Sequence, residues 1–170
     1  PAADAAAKEK VRLDKERGFT MIVHVLRSDS KGSIHVTSTD PSRPPAINFN
    51  FLSARVDEDI TVAAVNIARS VMRAPAMAKL QLTEVGPGEE LNTHDEIIDW
   101  VKRTAETTYH PVGTCKMGSD PMAVVDSRLK VRGIEGLRVA DASIMPTLIS
   151  GNTNAPSIMI GERASDLILN

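Results

Sequence analysis

The chain has 170 residues, enough for one domain with a sizeable core, and 42% of them are hydrophobic. A formal net charge of −2, from 20 basic and 22 acidic residues, excludes a basic nucleic-acid footprint. Aromatic residues make up 3%, too few for a base-stacking platform, and no apolar run approaches the roughly 18 residues of a membrane span.

Pro1–Arg17, rich in Ala, Lys, Glu and Asp, reads as a polar leader over residues 1–18 without a signal-peptide pattern. Phe19–Leu26 is rich in β-branched residues and predicts a strand. A turn at Ser28–Gly32 follows, then an alternating half-buried strand at Ser33–Ser38, the two strands forming a hairpin. Pro41–Pro45 breaks the chain before a short strand at Ile47–Phe49. Helical spacing predicts an amphipathic helix over Asp57–Met72 with Ile60, Ala64, Ile67, Ala68 and Val71 on its inner face. Gly86-Pro87-Gly88 is a turn, and Asp95–Glu106 a second helix starting near Thr93 or His94. In the tail, Val124–Asp126 and Leu129–Val131 are expected to pair across a tight turn, and Leu137–Ala140 is a further strand. Ala155–Leu169 predicts a helix whose face carries Ile160, Ala164, Leu167 and Ile168, with Pro156 in its first turn.

Two glycine-bearing loops carry the chemistry. In Tyr109-His110-Pro111-Val112-Gly113, Pro111 biases His110 to extended backbone, where its imidazole can relay a proton or be tied up by a surface hydrogen bond. In Ser150-Gly151-Asn152-Thr153-Asn154-Ala155-Pro156, Asn152 reads by itself as a turn residue, and Asn154 as the helix cap. Asp141 ends the apolar run Leu137–Ala140, a place for a ligand contact and equally for a capping carboxylate. Cys115 reads as a small packing residue, and as the lone cysteine it excludes an internal disulfide and fits a reducing cytoplasm. The four histidines lack metal-ligand spacing, so no metal site is expected; Met117, Met145 and Met159 read as core filling. Ser143 and Ser150 lack the nucleophile elbow of a hydrolase.

These two loops and the Leu137–Pro146 segment between them resemble the C-terminal signature of the glucose–methanol–choline oxidoreductases, FAD enzymes that oxidise alcohols. The resemblance covers about Phe19–Asn170 and is choline-dehydrogenase-like in motif texture. It implies an α+β fold: an antiparallel substrate-domain sheet flanked by helices over residues 19–121, and a strand–helix remnant of the FAD-binding domain over 122–170. It implies His110 as the base that takes the hydroxyl proton of a primary alcohol and Asn152 as the second catalytic position, while hydride passes to flavin N5. It also implies cofactor contacts from Asp141, Ala142, Asn152, Thr153 and Asn154, with the positive end of the following helix at the flavin. Two departures involve none of these residues: Leu26-Arg27-Ser28-Asp29 lacks a proline common in relatives, and Ala140 stands for a common valine.

The Gly-x-Gly-x-x-Gly turn that receives the FAD pyrophosphate does not occur in the sequence. The expectation is therefore a chain incomplete by itself, whose partner is the missing N-terminal FAD-binding half. A second reading is a non-catalytic module that assembles with a separate dinucleotide-binding chain, and a third is a stand-alone small-molecule binding domain. Without that half, Ile158, Ile160, Leu167 and Ile168 are expected to be partly exposed and to drive self-association, each burial being worth about 1.5–3 kcal/mol. FAD added to the chain alone is expected to separate from it on gel filtration; a yellow protein peak would overturn this.

Overall fold

The computed structural model describes residues 17–170, so the expected polar leader falls almost wholly outside it. The fold is α+β, a small antiparallel sheet flanked by helices, with two apolar cores. No described helix is long and apolar enough to cross a membrane.

The sheet pairs β1 (Ser33–His35) with β2 (Ala46–Asn48) in the register Ser33↔Asn48, Ile34↔Ile47, His35↔Ala46. Pro44 and Pro45, lacking N–H groups, end the ladder on the turn side. Gly32 closes the other end: a Cβ there would sit 2.1 Å from the Asn48 carbonyl oxygen. Beyond it, the Phe49 and Phe51 rings stack 5.1 Å apart. The hairpin expected between Phe19–Leu26 and Ser33–Ser38 does not form. Residues 19–26 have no ladder partners among the described residues; β1 pairs with β2 instead, and the intervening turn is held elsewhere.

What holds it is Asp57, whose side chain is 1% exposed. Its carboxylate accepts from the Ser28 hydroxyl at 2.5 Å, Asp29 N–H at 3.0 Å and Ser30 N–H at 2.8 Å. In return the Ser30 hydroxyl accepts from the N–H of Ala54, the N-cap of α1 (Arg55–Met72), which has no side-chain cap of its own. Asp57 thus serves inside the first helical turn, where the helix dipole favours an anion, and the helix begins before the position expected. Burial works against its charge, but the hydrogen bonds from Ser28, Ser30 and Asp29 outweigh it and hold the carboxyl below its ordinary value.

Asp57 also turns the helix. Its inward row is Asp57, Thr61, Val65 and Arg69, so the expected inner positions Ile60, Ile67 and Val71 are exposed. Arg69 is itself a clamp. Its guanidinium donates to both Glu84 carboxylate oxygens and to the carbonyls of Gly88 and Leu91, fixing the loop around Gly86-Pro87-Gly88. A single-turn helix α2 (Pro75–Ala78) precedes that loop.

Helix α3 (His94–Thr104) starts at a Thr93 N-cap. Thr93 Oγ1 accepts from Glu96 N–H while the Glu96 carboxylate accepts from Thr93 N–H, a reciprocal capping box. Ile97, Ile98 and Val101 are buried, and Val65 of α1 packs with Ile97 and Val101 among Val23, Leu52, Val62 and Trp100.

The second core lies in the tail. Val125, Leu129, Ile144 and Met145 pack against Ile160, Ala164 and Leu167 of α4 (Asn154–Leu169), with Val112 and Met117 at the edge. The expected pairings of 124–126 with 129–131, and of 137–140 beside them, appear as the single bridges Val125↔Val131 and Lys130↔Arg138. The Asp126 carboxylate caps the turn by accepting from Arg128 N–H and Lys130 N–H. Of the apolar residues expected to be bared on α4, Ile158 and Ile168 are exposed, whereas Ile160 and Leu167 are buried by the tail's own turns. Met159 is likewise exposed rather than core filling.

Replacing Asp57 with Ala is expected to cost about 3 kcal/mol, because it strands two backbone N–H groups of the 28–30 turn. A lowered folded pKa gives stability that is fully present above the ordinary aspartate value of 3.8 and is lost as pH falls through the folded value. Urea titrations should therefore show the wild-type advantage over Asp57→Ala shrinking toward strongly acid pH.

Candidate functional site

The loop bearing His110 leaves α3 through Ala105, whose backbone is already extended. Tyr109 takes φ 62, an uncommon conformation for a bulky residue, and Gly113 takes φ 86. Between these two left-handed positions lies the His110-Pro111-Val112 segment, a short rib without helix or ladder. Its far end is stitched to the Asp141–Met145 turn by Cys115 N–H to Ser143 O at 3.0 Å and Met117 N–H to Ile144 O at 2.8 Å. Gly113 passes close beneath that turn, where an added Cβ would lie 3.3 Å from Met145 O.

His110, half-buried, meets the start of α4. Its Nδ1 lies 2.9 Å from Thr153 Oγ1, and the Thr153 N–H is 3.5 Å from the same nitrogen. Thr153, 9% exposed, is the N-cap residue, so the helix begins one residue before the position expected and Asn154 is its first residue, not its cap. Its hydroxyl makes no cap hydrogen bond, and its backbone, at ψ 0, is not the extended one of a usual N-cap. Forgoing the cap costs about 1 kcal/mol. That hydroxyl is spent on the imidazole, and the first N–H groups of α4 are left without a side-chain acceptor.

Asn152 is exposed and makes no side-chain hydrogen bond among the described residues. Ser150 Oγ accepts from Arg27 Nε at 2.6 Å, tying the loop before Asn152 to the segment that ends at the Asp57 cradle. Asp141 caps the 3-10 turn Ala142–Ile144, accepting from Ser143 N–H at 2.7 Å. The Ser143 side chain and N–H hold its carboxyl below the ordinary range. Ala142 packs against the tail core, and Cys115 is half-buried behind the loop.

The structure therefore gathers His110 with Thr153 and sets Asn152 and Asn154 beside them on the exposed start of α4. Asp141 is joined to the same group through the backbone stitches at Ser143 and Ile144. The Thr153–His110 pairing carried no signal in the sequence, since a threonine before a helix is ordinarily a cap; nor did the Arg27–Ser150 tie across 123 residues.

The family described as GMC oxidoreductase matches residues 28–161. The chain belongs to this family. An oxygen-dependent choline dehydrogenase of Escherichia coli O45:K1 (strain S88 / ExPEC) is 47% identical over 154 residues, covering 91% of the chain and 27% of that enzyme. Among solved structures, pyridoxine 4-oxidase from Mesorbium loti superposes with a TM-score of 0.78 at 31% identity, over 83% of this chain and 28% of that one. An FAD-dependent oxidoreductase from Chaetomium thermophilum does so with a TM-score of 0.76 at 31% identity, over 81% and 24%. The GMC chain thus spans about a quarter of the length of the relatives it matches.

Gly113→Ala is expected to lower stability by about 1–2 kcal/mol, since it places a Cβ in left-handed backbone against Met145 O. Denaturant unfolding checks this; a change under about 0.5 kcal/mol would show that the rib is not pinned here.

Proposed function

We propose that the chain is the C-terminal portion of an FAD-dependent alcohol oxidoreductase, with residues 19–121 belonging to its substrate domain and 122–170 to its FAD domain. The observation that carries this reading is His110, held at Nδ1 by Thr153 beside an uncapped helix start. Those residues fit the cofactor: free N–H groups at the positive end of a helix, with Asn152 and Asn154 exposed next to them, suit an electron-rich, hydrogen-bond-accepting ring edge. When bound, FAD supplies at N5 the two-electron acceptor for the hydride of a primary alcohol.

His110 is the base in this reading. Nε2 has no partner among the described residues and, in the tautomer that carries the ring hydrogen on Nδ1, is the nitrogen that takes the hydroxyl proton. Asn152 holds the alcohol oxygen through its amide without adding charge, so the carbon is oriented as the proton leaves. Asp141 and Ala142 would lie along the pyrophosphate and ribityl chain, with Thr153 and Asn154 nearer the ring. The exposed Ile158, Met159 and Ile168 of α4 are then surfaces covered by the remainder of the parent protein.

In the intact FAD-loaded protein, His110→Ala is expected to slow flavin reduction by roughly 10²–10⁴, the scale of a general base, and Asn152→Ala by less. FAD should remain bound in both. Anaerobic stopped-flow reduction isolates the step, and a His110→Ala protein reduced at the wild-type rate would remove His110 from the mechanism.

A further inference from the structure

We infer that Arg27 is a positioning residue for Asn152: by donating from Nε to Ser150 Oγ, it fixes the entry of the loop that presents the Asn152 amide. The inference rests on the reading of Asn152 as the group that holds the alcohol oxygen. It adds a residue from the other half of the molecule, 123 residues away from its partner in sequence.

The loop has few other supports. Among the described residues, no backbone hydrogen bond reaches residues 146–152, and the Arg27–Ser150 bond at 2.6 Å is the one hydrogen bond made by their side chains. Ile149 packs at the edge of the tail core, but Ser150 and Asn152 beyond it are exposed. A Cβ added at Gly151 would meet nothing within 4 Å, so no neighbour confines that residue. The exit of the loop is fixed separately. Thr153 is buried, its hydroxyl lies 2.9 Å from His110 Nδ1, and its carbonyl accepts from Ser157 N–H at 3.0 Å and the Ser157 hydroxyl at 2.6 Å. Gly151 and Asn152 are therefore a short span between two held residues, Ser150 and Thr153. With both ends fixed, the places open to the Asn152 amide are few; with the Arg27 end released, the span opens locally as a segment poor in buried contacts does.

Arg27 is itself well held. It directly precedes the turn whose Ser28 hydroxyl and Asp29 and Ser30 N–H groups donate to the buried Asp57 carboxylate. The backbone at Arg27 is thus set by α1 and its core, not by the loop it supports. An exposed hydrogen bond of this kind adds little stability, but a misplacement of about 1 Å can cost roughly 10²-fold in rate, so the tie is felt at the site more than in the fold.

Arg27→Met and Arg27→Gln test this as a pair. A glutamine amide N–H stands the same number of bonds from Cα as the arginine Nε, whereas methionine matches the length and carries no donor. Backbone nitrogen relaxation of the isotope-labelled chain reads the loop without any cofactor. Order parameters at Gly151 and Asn152 are expected to fall from about 0.85 to below about 0.6 in Arg27→Met and in Ser150→Ala, but not in Arg27→Gln, with residues 28–30 unchanged. Values that stay as in wild type in Arg27→Met, or that fall equally in Arg27→Gln, overturn the inference. In the intact FAD-loaded protein, Arg27→Met should slow flavin reduction by about 10-fold and Arg27→Gln by less than about 3-fold. On an Asn152→Ala background, Arg27→Met should add no more than about 2-fold, because a residue that acts through Asn152 has nothing left to place. An equal effect with and without Asn152 also overturns the inference. Should Asn152→Ala leave the rate unchanged while the order parameters behave as expected, the reading of Asn152 falls and the tie stands as the anchor of its loop.

Discussion

The two backbone hydrogen bonds that join Cys115 and Met117 to the Ser143–Ile144 turn are the constraint on which the site rests. Without them the His110 rib would be a surface loop whose conformation was set only by Tyr109 and Gly113. With them, the rib, the Asp141 turn and the start of α4 become one body, because Ile144 and Met145 are buried against Ile160 and Ala164 of that helix. Packing in the tail core is thereby converted into position at His110. Backbone donors and acceptors buried this way must be paired, so the stitch is costly to open.

The other half of the molecule uses charge where the tail uses apolar packing. Asp57 is surrounded by a hydroxyl and two amide N–H groups, and Arg69 lies between a carboxylate and two carbonyls. Both sit on the inward row of α1, and each fixes a loop that has little regular structure of its own. Their arrangement meets the condition under which buried charge is tolerated, since the hydrogen bonds satisfy most of the acceptor and donor capacity. Arg27 then links this half to the loop of Asn152 through Ser150, so the cradle at Asp57 and the candidate site flank a common tie.

Local signals carried much of the fold. The extents of α1, α3 and α4, the tight turn at Asp126–Leu129 and the β1–β2 segments were legible because each rests on spacing, capping or turn residues close in sequence. The rotation of α1 was not. Ile60, Ile67 and Val71 make a valid apolar stripe, yet Asp57 and Arg69 claim the inward face through partners at Ser28–Ser30 and Glu84 that no periodicity reveals. The strand expected at Phe19–Leu26 had the right composition, but a strand exists only where a ladder partner does, and the ladder that forms is β1 with β2. At the site, the motifs marked His110, Asp141 and the 152–154 loop, while the pairing of His110 with Thr153 depends on how the tail folds back.

Helix α4 shows why an uncapped end can be kept at such a place. Its stability comes from the opposite side and the opposite end: Ile160, Ala164 and Leu167 are buried, and Arg138 donates to the Leu167 carbonyl at 3.1 Å, satisfying an orphan acceptor of the last turn. Burial of Ile160 and Leu167 is worth about 1.5–3 kcal/mol apiece, against about 1 kcal/mol for the missing cap. The first turn can therefore leave its N–H groups uncapped and turn its threonine toward His110 without endangering the helix. A cap at Thr153 would stabilise α4 slightly and occupy both the hydroxyl and one of those donors. The preference for the imidazole is the local sacrifice expected where a fold places chemistry at a helix N-terminus.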